Sequence, residues 1–226
     1  MMANQWMLIV KCRYIYVKKI NTMDIEHSIK ELSQMDSDLI SLLNSFKIDN
    51  LLPEKNYFKS LSRSIIYQQL TAKSAKAIHD RFISIYETEE YPSPEEVLST
   101  TLDDLKSVGL SKFKAQYLHN LSNSFLKEPF NYQTLNQESD KDIIDILTQI
   151  KGVGLWTAQM FLMFTLNRPD VFPATDLALQ KGFQQYFNIS QLPKANEMLE
   201  ISQKWRPHRT TVSLFLWRLI EGPFEW

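Results

Sequence analysis

The chain has 226 residues, 44% of them hydrophobic, with one cysteine and a formal net charge of −1. That length buries a sizeable core in one large domain or two small lobes, and no window is long and apolar enough to span a membrane. Cys12 alone excludes an internal disulfide, a four-cysteine zinc site and a four-cysteine iron–sulfur cluster built from this chain, while near-neutral charge argues against a large non-specific nucleic-acid surface but leaves room for a local patch.

Residues 1–22 are rich in β-formers (Leu8, Ile9, Val10, Tyr14, Ile15, Tyr16, Val17). They read as an added strand pair or helix, or as an upstream misread start, and are assigned no role. Their apolar runs are too short, and too broken by Lys11, Arg13, Lys18 and Lys19, for a signal peptide. From residue 24 the spacing predicts helices throughout. Two short ones flank the cap cluster Asp36-Ser37-Asp38. Helices over 58–69 and 71–86 follow the turn at Pro53, with Phe58, Leu61, Ile65 and Ile66 inward on the first. Ser93 caps a short acidic helix, another spans 102–107, Gly109 ends it, and Ser111 caps the next. The VGLSKFKAQYL stretch around Gly109 is a faint echo of a later hairpin. Residues 129–136 read as a loop and 140–149 as a helix. An apolar helix then runs from Leu155 until just before Arg168-Pro169. Helices over 177–187, 192–205 and 207–221 complete the chain. No convincing strand occurs after residue 22, so the fold class is all-α.

The run from Ile150 to Asp176 is where the chemistry concentrates. It opens with two of the chain's five glycines, Gly152 and Gly154. A Gly-x-Gly turn lets backbone approach a ligand, and the free N–H groups of the next helix favour an anion such as a phosphate. From the glycines alone, a C-cap glycine in an ordinary helical hairpin is the simpler reading. Asp176 precedes LALQKGF and makes a good helix N-cap. It is equally a fixed carboxylate of the kind that stabilises a cationic transition state. Asp170, in Arg168-Pro169-Asp170, reads as a turn.

The string IKGVGLWTA resembles the helix-hairpin-helix of base-excision DNA glycosylases, and VFPATDLAL resembles the loop that carries their catalytic aspartate. SIIYQQLTAKSAKAI and WRPHRTTVSLFLW resemble two further signatures of one branch, the 3-methyladenine DNA glycosylase II family, and all four fall in family order between residues 23 and 226. The resemblance implies two helical lobes across a cleft, about 23–90 plus 190–226 and 91–189, in a short form without the family's N-terminal β-domain. It implies a monofunctional glycosylase that flips alkylated purines (3-methyladenine, 7-methylguanine) from double-stranded DNA and hydrolyses the N-glycosidic bond. Asp176 falls at the catalytic position. Trp156 and Trp217 match aromatic pocket positions, and Met160 stands where a relative has tyrosine. Tyr67 joins the pocket candidates by spacing alone. Trp156 also stands where strand-cutting relatives carry a nucleophilic lysine, so no lyase step is expected by that route. Gln69 and Leu70 fall in the wedging segment. Lys151, Gly152, Val153, Gly154, Trp156 and Thr157 form the DNA-binding hairpin, Thr157 through its hydroxyl. The carbonyls of Thr148, Ile150 and Val153 would hold a structural monovalent cation. No cofactor is expected for catalysis, and a monomer, cytoplasmic or nuclear, is the expected form. The alternatives are a non-catalytic helix-hairpin-helix binding module and a glycosylase for other damaged or mismatched bases.

Overall fold

The computed structural model describes residues 23–86, 90–127 and 132–222. The strand pair or helix expected over 1–22 lies outside the described residues. Within them the chain is helical, with no strand.

Most helices begin where a side chain satisfies a free N–H of the first turn. Asp24 caps α1 (Ile25–Met35), and Asp36 caps a 3₁₀ turn over Ser37–Leu39 that leads into α2 (Ile40–Leu43). Asn56 caps α3 (Tyr57–Tyr67) and Thr71 caps α4 (Ala72–Ile83). A full capping box, Ser93 with Glu96, starts α5 (Pro94–Ser99). Thr101, Ser111 and Ser139 cap α6 (Leu102–Ser107), α7 (Lys112–Leu126) and α8 (Asp140–Leu147). Residues 132–136, expected as loop, instead belong to a 3₁₀ helix over Tyr132–Gln137.

The helix expected from Leu155 to just before Arg168 is not uniform. α9 (Leu155–Met160) passes into a π-helical turn over Phe161–Thr165, closed by a bond from the Leu166 N–H to the Phe161 carbonyl at 3.1 Å. Asp176 caps α10 (Leu177–Tyr186). The helix expected over 192–205 is split into α11 (Ala195–Ile201) and a 3₁₀ segment over Ser202–Trp205. The last, α12 (Arg209–Glu221), begins after Pro207 rather than at it.

The helices pack in two groups, and the division differs from the expected one. α1, α2 and α10 pack with α12, and α11 continues into the 3₁₀ segment that joins them. α3 to α9 form the other group, in which α3 lies against α4, α7, α9 and the π turn. So 57–83 goes with 94–165, and α10 goes with the chain's end. The reason lies in the contacting faces. Phe58, Leu61, Ile65 and Ile66 of α3 are buried in the core, and Phe58 meets Phe125 of α7 edge-on at 5.3 Å. α10 approaches α12 so closely that a Cβ on Gly182 would stand 2.3 Å from the Leu216 carbonyl oxygen.

Two connections cross between the groups, residues 44–56 and 166–176. The second is pinned by ion pairs. Asp170, expected as a turn residue, accepts from Arg209 Nε at 2.6 Å and pairs with Arg206 Nε at 2.8 Å. Arg168 reaches back to Asp140 at 3.3 Å.

The turn between α8 and α9 is set by Ile150 and Val153, both buried, and by Gly152 at φ +110. A Cβ on Gly152 would stand 2.3 Å from the Tyr117 ring of α7. Gly152→Ala therefore meets both backbone strain and overpacking, and should lower stability by about 3 kcal/mol in denaturant unfolding. A second prediction concerns acid. His79 of α4 stacks on Tyr91 at 5.9 Å, and burial, with the Arg63 guanidinium nearby, pushes its pKa from 6.5 down to about 4. The unfolded chain takes up this proton below pH 6.5 while the native chain refuses it until about 4. Stability should thus fall by about 3 kcal/mol as pH drops through that window. His79→Phe should flatten that limb of the pH–stability curve.

Candidate active site

The segment from Val171 to Ala174 is buried, and Thr210 at the start of α12 holds it. The Thr210 hydroxyl accepts from the Val171 N–H at 2.9 Å and donates to the Arg168 carbonyl at 2.7 Å. This delivers Asp176 to the head of α10. There its carboxylate accepts three N–H groups from three helices. Oδ1 accepts from the Leu179 backbone at 2.8 Å and from the Trp217 indole at 2.8 Å, and Oδ2 accepts from the Trp156 indole at 2.8 Å. The cap reading is therefore realised, and it coexists with the site reading. Of roughly four acceptor sites on a carboxylate, these fill two on Oδ1 and one on Oδ2, which leaves the open one on Oδ2.

Trp156 lies on α9 and Trp217 on α12, so the carboxylate joins the two helix groups. Trp217 is buried, and Phe164 of the π turn stacks on it with centroids 6.2 Å apart and planes 25° apart. Phe164 also forms one wall of a cavity of about 410 Å³ between residues 50–54 and Lys59, Ser60 and Arg63 of α3. Asp176 does not line that cavity.

The other expected site residues divide. Trp156 and Trp217 meet Asp176. Met160, one turn after Trp156 on α9, is as buried as Trp217. Tyr67 ends α3, its ring centroid 5.0 Å from the Arg63 guanidinium and edge-on to His79 at 6.2 Å, so it also belongs to the α3–α4 aromatic cluster. Gln69 is exposed at φ +56, and Leu70 follows it with 39% of its surface exposed.

In the hairpin, Lys151 and Gly154 are exposed and Gly152 half-buried. Val153 is buried, so its side chain serves the core. Thr157 corrects an expectation. Its hydroxyl is buried at 1% exposure and accepts from Gln68 Nε2 at 2.9 Å, so it faces the interior and not a phosphate. Gly154 starts α9 with no side-chain cap, and a Cβ there would meet nothing within 4 Å. The echo hairpin differs at this point: Ser111 covers its helix start by accepting from the Lys114 N–H at 3.2 Å. Of the three carbonyls expected to hold an ion, that of Ile150 already accepts the Val153 N–H at 2.9 Å, with a second lone pair left.

Phe164, Gln68 and Lys114 were not singled out by sequence. Phe164 was one apolar position among many. Gln68 is hidden beside an identical neighbour, and Lys114 lies unremarked within the VGLSKFKAQYL echo.

Residues 62–208 match the model of the HhH-GPD superfamily base excision DNA repair proteins. A relative from Schizosaccharomyces pombe, DNA-3-methyladenine glycosylase 1, is 31% identical over 191 residues, covering 83% of this chain and 84% of its own. The solved structure of the S. pombe 3-methyladenine DNA glycosylase Mag1 in complex with abasic DNA is 28% identical with a TM-score of 0.75, covering 88% of this chain and all of that one. A DNA-3-methyladenine glycosidase structure from Bacillus halodurans, 29% identical, gives 0.72 over 85% of this chain and 88% of its own. With the carboxylate, the uncapped hairpin and the family model on the same span, the chain belongs to the HhH-GPD superfamily of base excision DNA repair proteins.

Proposed function

We propose that this chain is a monofunctional DNA glycosylase that removes alkylated purines, 3-methyladenine and 7-methylguanine among them, from double-stranded DNA. The observation that carries the reading is the Asp176 carboxylate, oriented by two tryptophan indoles and a backbone N–H. Relatives similar over most of both chains are named for 3-methyladenine.

An extruded nucleotide brings its anomeric carbon to the carboxylate. As the N-glycosidic bond lengthens, the bonding electrons leave with the base and positive charge builds on the sugar. A carboxylate fixed by three N–H donors need not reorganise to stabilise that charge. The open acceptor site on Oδ2 suits a water that adds to the anomeric carbon and gives up its proton. Alkylation leaves the purine cationic, so it is already a good leaving group. An aromatic face such as the Phe164–Trp217 pair attracts it by about 0.5–2 kcal/mol per ring. Trp156 supplies no amine, so the reaction draws on water, needs no cofactor and ends at an abasic site.

Backbone N–H groups of Gly152, Gly154 and Trp156 hold a phosphate at the uncapped start of α9, the Val153 N–H being taken by the Ile150 carbonyl. Leu70, next to the left-handed Gln69, fills the space the base leaves. The carbonyls of Thr148, Ile150 and Val153 are neutral donors, and no cluster of three metal-binding His, Cys, Asp or Glu side chains occurs among the described residues. Such a donor set fits a monovalent cation, which would supply charge beside the phosphate and take no part in bond cleavage.

Asp176→Asn should cut release of free methylpurine from alkylated duplex at least about a hundredfold, with binding to duplex carrying an abasic analogue kept. Asparagine offers one acceptor oxygen to three donors, so its melting temperature belongs in the same experiment. Native protein should give strand breaks only after alkali; breaks without alkali would overturn the monofunctional reading, and binding without release would favour the non-catalytic module. Gly154→Ala has room for its methyl and should melt like the native protein, yet lose about tenfold in affinity for all duplex sequences alike, since a phosphate contact carries no base information.

A further inference from the structure

The end of α3 is tied to the hairpin and to α7 by two side chains. Gln68 Nε2 donates to the Gly152 carbonyl at 3.0 Å and to the Thr157 hydroxyl at 2.9 Å, which uses both hydrogens of its amide. Lys114 Nζ, half-buried, donates to the carbonyls of Ile66 at 2.8 Å and Gln68 at 2.7 Å. Further along α7, Asn120 Nδ2 donates to the Lys151 carbonyl at 3.0 Å, and the Tyr117 ring lies under Gly152. One helix therefore steadies both the phosphate-facing turn and the end of α3. Immediately after Gln68 comes Gln69 in the left-handed region, then Leu70. A non-glycine residue stays in that conformation only where its surroundings over-determine it.

We propose that Gln68 is a positioning residue that couples the hairpin to the wedging loop, so that seating a phosphate on residues 152–156 fixes Leu70 in the duplex. The proposal rests on the hairpin and wedge reading above. A wedge must hold its place while a base is pushed out of the stack, and a single-residue left-handed turn has no stiffness of its own. The amide of Gln68 transmits the position of the hairpin to that turn, and Lys114 closes the other side. Coupling of this kind acts on base extrusion and not on bond cleavage. It therefore matters for duplex DNA and not for single strands, whose bases are already unstacked.

The test compares native protein with Gln68→Met, which removes both donors, and with Thr157→Val, which keeps the shape and removes one acceptor. The first readout is the fluorescence of 2-aminopurine placed beside a 7-methylguanine in duplex DNA, which rises on unstacking. The second is base release from methylated duplex and from methylated single strands. Gln68→Met should lower the fluorescence rise and slow duplex release by at least about tenfold in kcat, with single-strand release and KM within about twofold of native. Thr157→Val should move the same readouts in the same direction by less. Equal losses on duplex and single strands, tracking a lowered melting temperature, would mean a merely structural glutamine and overturn the proposal; so would native behaviour in both variants. Should Gln68→Met fail to fold, Thr157→Val decides by the same criteria. A native protein that raises the fluorescence but releases no base overturns the glycosylase reading alone, and the fluorescence comparison still judges the coupling. A native protein that gives no rise overturns both.

Discussion

The carboxylate of Asp176 is where the two helix groups and the proposed chemistry meet. Its partners come from α9, α10 and α12, each at 2.8 Å. The Trp217 indole is buried, and a buried N–H left without an acceptor costs about 1–3 kcal/mol. The same oxygen atoms that would face a sugar therefore also satisfy the interior. Any slide of one helix group past the other would be felt first as a change in the reach from Trp156 to Asp176. The site is positioned by packing that spans both helix groups, from α1 against α12 to α9 against α3, and it cannot be loosened without unsettling those contacts.

The two hairpins use one backbone plan for different ends. Each places a glycine at positive φ, Gly109 at +103 and Gly152 at +110, two residues before a helix cap. In the first, Arg81 of α4 donates to the Val108 carbonyl at 2.9 Å and Ser111 covers the following helix start. In the second, Gln68 just after α3 and Asn120 of α7 take the turn's carbonyls, and the cap is a glycine facing open space. The first turn is closed on itself and becomes scaffold, because α7 then carries Lys114, Tyr117 and Asn120 toward the second. The second is braced from behind and left bare in front, which is the condition for a backbone anion site.

What was legible in the sequence follows from what local patterns encode. Cap residues and apolar periodicity marked the helices because both act within a turn or two of the chain. The partner of each apolar face was not marked: the face of α3 carries Phe58, Leu61 and Ile65 whichever helix it meets, so 57–83 was placed with the wrong group. Asp176 was legible as a cap and, through the resemblance, as a catalyst, and its geometry accommodates both. Which of Gln68 and Gln69 turns inward was not legible. One backbone residue in the left-handed region reverses which neighbour turns inward, and periodicity carries no sign of it. Thr157 turns inward for a related reason: it lies on a helix whose outward face is narrow, since α9 sits against α3 and α8.

The aromatic pair beside Asp176 raises a different question, what keeps Phe164 on Trp217. Apolar burial is non-directional and would accept several ring positions. The polar contacts around the π turn are more selective. The Thr165 hydroxyl bonds that of Ser60 on α3, the Thr165 carbonyl accepts the Glu54 N–H at 3.2 Å, and the Arg168 N–H returns to the Leu162 carbonyl at 2.9 Å. The first two come from α3 and from residues 50–54, which also wall the cavity on Phe164. A π turn forfeits regular i→i−4 bonding and is seldom kept without cause. Here the widened turn exchanges regular bonding for anchors in α3 and the crossing segment, which fix the register of Phe164. The ring that would face a flipped base is thereby set by directional bonds several residues away, and its position does not depend on the base to organise it.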